Sequence, residues 1–130
     1  MAPRRLASTL LAGFGWAGLL IGSAAHSALA ADASGADLQK GKQVFMTYCA
    51  TCHGEKGDGQ GPVGKALNPP PRDFTKGDFK YGSSDQDLFD TMSNGAASKG
   101  GSPLMAPWGA VIPEADRWAL VKFIRSLKKD

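Results

Sequence analysis

Cysteine and histidine are scarce in this chain, with two of each among 130 residues. Two cysteines exclude the disulfide framework that staples many small exported domains, and a bridge between Cys49 and Cys52 would close too short a loop to add much stability. Strand signals are missing as well: no stretch of useful length alternates apolar with polar residues, and there is neither an internal repeat nor a low-complexity tract. The longest apolar run, Leu10 to Ile21, has twelve residues, whereas a membrane helix wants about 20. An excess of one charge is lacking too. Of the formal +3, Arg4 and Arg5 supply two, and without them 13 basic residues face 12 acidic ones. The slight basicity is therefore no sign of nucleic-acid binding.

What is present begins with a basic start at Arg4 and Arg5, the apolar run, and the small residues Ala28-Leu29-Ala30 before Ala31-Asp32. That order is a secretory leader over residues 1–30, with an uncleaved membrane anchor as the alternative. Cleavage after Ala30 leaves a single domain, residues 31–130, whose own core is limited for its size. A cofactor filling the centre would help such a chain.

The periodicity predicts an all-α domain with long loops. Leu38, Gly41, Phe45, Tyr48 and Cys52 fall on one helical face, with Asp37 as the expected N-cap and Gly41 as a point of close helix approach. Glycines and prolines from Gly54 to Pro71 predict turns and extended backbone, with one helical turn near 63–67. Ser84 and Asp87 form the pattern of a capping box before Leu88, Phe89 and Met92, and Asn94-Gly95 stops that helix. A last helix opens near Pro113, carries Leu120, Val121, Ile124 and Leu127, and has acids at its start and lysines at its end.

The chemistry is concentrated in Cys49-Ala50-Thr51-Cys52-His53. A redox dithiol would need a βαβ setting, which this chain does not offer. Structural zinc would need four ligands, and after cleavage only Cys49, Cys52 and His53 remain, because His26 leaves with the leader. Cys-x-x-Cys-His is the attachment signature of c-type haem: two thiols bond the porphyrin and the imidazole offers a nitrogen to iron. The match of Gly59 to Lys65 to a phosphate-binding loop fails at Ala66, which has no hydroxyl for magnesium, so no nucleotide site is expected.

Several other residues belong to the expected site. Pro62, nine residues after His53, either offers its carbonyl to His53 Nδ1 or only stiffens the loop. Among Met46, Met92 and Met105, the last is the favoured sixth iron ligand, because Met46 shares the anchor's helix and Met92 fits core packing. Proline neighbours would hold the Met105 backbone. Arg72, Tyr81 and Trp108 are candidates for haem propionate contacts, against readings as an exposed arginine, a core tyrosine and a ring-packing tryptophan.

Taken together, Gly41, Phe45, the haem anchor, Gly61-Pro62, Asn94-Gly95, Met105, Leu120 and Phe123 make the chain from about Leu38 to Leu127 resemble a small class I c-type cytochrome. The resemblance implies a cytochrome c fold of three to four short helices around one haem, bound through Cys49 and Cys52. It also implies His53 and Met105 on the iron, Pro62 as acceptor for His53, and a crossing of Gly41 and Phe45 with Leu120 and Phe123. Ala106 departs from the family, where proline often follows the ligand methionine directly.

The expected function is single-electron transfer in the bacterial periplasm between redox protein partners, with no catalysis by the chain itself. Membrane association would come only through an uncleaved leader or a membrane-bound partner. The alternatives are a haem subunit of an oxidase or dehydrogenase, and an open-site haem enzyme or sensor. Lys56, Lys65, Lys76, Lys80 and Lys99 are candidates for steering an acidic partner.

Overall fold

The computed structural model describes the backbone from Ser23 to Asp130 and side chains from Gly35 onward, Ala36 excepted. The expected leader over residues 1–30 therefore lies for the most part outside the described residues. Among them there are four α-helices, three short 3-10 turns and no strand: α1 (Ser23–Tyr48), α2 (Ala50–His53), α3 (Asp85–Asn94) and α4 (Glu114–Ser126). The all-α expectation holds. None of the described helices is long and apolar enough to cross a membrane.

Helix α1 does not start at Asp37. Alanine is the strongest helix former, and the alanine-rich stretch before Asp37 carries the helix back to Ser23. Asp37 instead forms an ion pair with Lys122 of α4.

The crossing of α1 and α4 organises the domain. A Cβ on Gly41 would overlap the Ala119 carbonyl and lie 2.8 Å from Phe123 Cβ, so only glycine lets the two backbones approach this closely. One turn later Phe45 is fully buried, with ring centroids 5.3 Å from Phe123 and 6.3 Å from Phe74. Leu120, Val121, Ile124, Val44 and Ile112 complete this core.

Helix α3 packs on α4 by stacking Phe89 on Trp118, 4.2 Å between centroids. Its start has the expected capping box: Ser84 Oγ accepts from Asp87 N while the Asp87 carboxylate accepts from Ser84 N. Pro113 precedes α4 at its N-cap, and Glu114 and Asp116 stand in its first turn. The helical turn expected near 63–67 is a 3-10 turn at Gly64–Ala66, and a second one, Phe74–Lys76, buries Phe74.

Candidate functional site

The Cys49 to His53 segment is a bend followed by a single helical turn, set by His53 N donating to Cys49 O (2.8 Å) at the end of α1. The glycine-rich loop then folds back over the carbonyl end of that turn. Gly61 N donates to Cys52 O (3.2 Å), Val63 N to Thr51 O (3.0 Å) and Gly59 N to His53 O (2.7 Å). A Cβ on Gly61 or Gly64 would overlap those carbonyls, which is why glycine stands at both positions.

Beside this turn lies a cleft of about 590 Å³, within the roughly 300–1,000 Å³ usual for cofactor sites. Cys49, Cys52 and His53 line it together with Arg72, Met105 and Trp108, and Leu88, Met92, Leu120, Ile124 and Phe79 give it an apolar interior. Six of the seven expected site residues thus share one cavity. Both cysteines are free thiols. Burial, with a smaller contribution from Cys52, pushes the Cys49 thiol up to about 12. An activated redox cysteine needs the opposite shift, so the dithiol reading fails on chemistry as well as on fold.

Pro62 is the exception and a correction. His53 Nδ1 lies 3.0 Å from the Arg72 carbonyl, which takes the place expected for that of Pro62. The cause is the loop's own pairing. With Gly61 N and Val63 N turned to the carbonyls of α2, Pro62 sits exposed on a separate hollow with Met46, Ala50 and Glu55. Arg72 reaches His53 because Phe74 N donates to Gly57 O (2.7 Å), drawing the chain after Pro71 across the loop. A carbonyl only accepts, so Nδ1 carries the proton and the Nε2 lone pair is free for a metal. Burial pulls the His53 pKa below its ordinary value, against an upward influence of the Arg72 bond, and keeps the ring neutral. The imidazole also stacks on Phe74, 4.4 Å between centroids.

Arg72 itself contributes its carbonyl, while its guanidinium pairs with Asp78 at 3.3 Å. Sequence reasoning missed both the Arg72 carbonyl and Phe74. A backbone acceptor leaves no mark in residue identity; the three prolines before Arg72 were the available hint of a stiff, extended approach.

The Met105 loop is tied to the end of α3. Ala96 N donates to Met105 O (3.2 Å), Trp108 N to Met92 O (2.9 Å) and Gly109 N to Ser93 O (3.0 Å). Gly95 has φ +77°, and a Cβ there would lie 2.9 Å from Met105 O and 3.1 Å from Pro107 N. Met92 is 4% exposed and belongs to the core while touching the cleft; Met46 lies outside it. Trp108 lies against Tyr48 with centroids 5.4 Å apart. Tyr81 lines the cleft too.

The expected lysines do not gather at the cleft. Of the five lysines only Lys76 and Lys80 line the cleft, and with Arg72 they face Asp58, Asp73 and Asp78 there. Lys99 pairs with Asp87 at 3.1 Å. Among the described residues no three His, Cys, Asp or Glu side chains gather as a metal cage, so a single imidazole beside two thiols suits a macrocyclic metal complex better than a bare ion. The residues present fit haem.

Known proteins agree. The chain is 32% identical over 89 residues to the cbb3-type cytochrome c oxidase subunit CcoP of Azospirillum brasilense, covering 68% of this chain and 28% of that protein. It is 32% identical over 92 residues to a thiosulfate dehydrogenase of Stutzerimonas stutzeri, covering 71% of this chain and 28% of the relative. The matched stretch thus spans little more than a quarter of these curated relatives. Among solved structures, a reducing HAO-like protein complex of Kuenenia stuttgartiensis matches with TM-score 0.60 and 34% identity over 68% of this chain and 41% of that one. The family model described as cytochrome c oxidase, cbb3-type, subunit III matches residues 36–124. The chain carries a class I c-type cytochrome domain that binds covalent haem c for electron transfer, and it belongs to the cbb3-type subunit III cytochrome family.

Proposed function

We propose that this chain is a periplasmic single-electron carrier, exported by a leader over residues 1–30 and not itself a catalyst. In this reading Cys49 and Cys52 hold the haem by thioether bonds. His53 Nε2, with its ring set by the Arg72 carbonyl, and the Met105 thioether would hold the iron. Bound haem would supply a reversible one-electron change, and histidine with methionine as ligands would raise its potential. The protein's part is to keep both ligands in place and to exclude water with its apolar walls.

The observation that carries this reading is the gathering of Cys49, Cys52, His53 and Met105 in one largely apolar cleft. Redox proteins are the expected donor and acceptor. Trp108 and Tyr81 remain candidates for propionate contacts, whereas the Arg72 guanidinium is already engaged by Asp78. Pro62 is not proposed as a haem contact.

The names of the relatives favour a second reading. Three proteins named as cbb3-type oxidase subunits match, and each is covered only to 27–28% of its length. In this second reading the chain is the electron-entry part of a larger oxidase or dehydrogenase. Retention in membranes after a high-salt wash would favour that reading over a soluble shuttle.

Optical spectra of the matured ferric protein test the ligand set. The weak far-red band of methionine-ligated haem is expected in the native protein and in Met92→Ala, and its loss is expected in Met105→Ala. A band that survives Met105→Ala would refute the assignment.

A further inference from the structure

Helix α3 ends without a cation of its own, since no basic residue stands in its last turn. A helix C-terminus carries partial negative charge on its unpaired carbonyls. Two of these carbonyls hold the foot of the Met105 loop, through Trp108 N on Met92 O (2.9 Å) and Gly109 N on Ser93 O (3.0 Å).

The missing cation comes from α4. The Arg117 guanidinium lies over the Phe89 ring, 4.6 Å from its centroid, and its Nη1 donates to Ser93 Oγ. Ser93 Oγ in turn donates to Phe89 O at 2.6 Å, so the hydroxyl is fixed in both roles. The corner is tight: a Cβ on Gly109 would lie 2.9 Å from Ser93 O and 3.3 Å from Arg117 Nη1. Arg117 Nε is buried without a hydrogen-bond partner, a cost that a solvated surface arginine does not bear.

We propose that Arg117 is a positioning residue for Met105. Acting through Ser93 and Gly109, it holds the foot of the loop that carries the sulfur and thereby sets how readily an outside ligand displaces that sulfur. The inference rests on the reading of Met105 as an iron ligand. Gly109 is four residues from Met105, and of the three backbone bonds that tie this loop, Ala96 N on Met105 O, Trp108 N on Met92 O and Gly109 N on Ser93 O, slackening the Arg117 corner loosens the last.

The test is an imidazole titration of the matured ferric protein, following the far-red band. Arg117→Met and Ser93→Ala should lose the band at about tenfold lower imidazole, the scale of one charge-assisted hydrogen bond. Arg117→Lys, which keeps the charge but not the fork, should fall between them and the native protein. Val121→Ala, in the same helix but outside the cleft, should melt earlier yet titrate like the native protein. Native imidazole affinity in Arg117→Met, or in Ser93→Ala should the former not mature, overturns the inference. So does a Val121→Ala shift as large as that of Arg117→Met. A native protein with no far-red band fails earlier: it overturns the Met105 reading, and the inference with it.

Discussion

His53 and Asp87 show how single side chains are set by backbone partners. The Arg72 carbonyl fixes the His53 tautomer, and burial favours its neutral ring, so Nε2 could bind a metal without a proton to expel. Asp87 is held by hydrogen bonds from Ser84, then by Lys99, which lower its carboxyl to about 2. A carboxylate depressed in the folded state adds stability above its unfolded value of about 3.9, and that contribution disappears as pH falls toward 2. The matured protein should therefore lose stability between about pH 4 and pH 2, and Asp87→Asn should be less stable at neutral pH with a flatter acid limb. Acid titrations of melting temperature check this; an acid limb identical in Asp87→Asn would contradict it. At this scale the sequence was a partial guide. Cys49, Cys52 and His53 form a contiguous pattern with its own chemistry, whereas the acceptor for His53 depends on which loop amides turn inward, and Gly61 and Val63 turned Pro62 away.

Between elements, the contact that matters most is the crossing of α1 and α4 at Gly41. Its position was readable because glycine on an apolar helical face, at a propensity cost, calls for a close neighbour. Its partner at closest approach, Ala119, was not, since an alanine in a helix is unremarked by any pattern. Gly41→Ala should force the helices apart and cost about 1–3 kcal/mol, lowering the melting temperature by roughly 4–8 °C for each kcal/mol in a domain of this size. An unchanged melting temperature in the matured protein would mean that the crossing has slack. The start of α1 was misplaced for a related reason: Asp37 has the chemistry of a cap, but the alanines before it continue the helix, and Asp37 serves as an ion-pair partner for Lys122 instead.

Seen whole, the molecule places its chemistry in one cleft whose rim carries three acidic and three basic side chains. Five scattered lysines read from a sequence suggest a positive ring; folding separates Lys56 and Lys65 from the cleft and pairs Lys76 and Lys99 with acids. Oxidation of the reduced protein by ferricyanide should then vary less than about tenfold between low and high salt, because a balanced rim provides little long-range field. A steep fall with ionic strength would restore the steering idea. The all-α architecture was legible from helical periodicity and the lack of strand patterns, and the cleft was foreshadowed by a core too small for the chain. What joins these scales is the proposed ligation of haem iron by both His53 and Met105, which share one cleft. Exposure of the reduced native protein to carbon monoxide tests that directly. The account predicts an unchanged spectrum, with binding appearing in Met105→Ala; prompt binding by the native protein would contradict the electron-carrier reading and mark an open haem site.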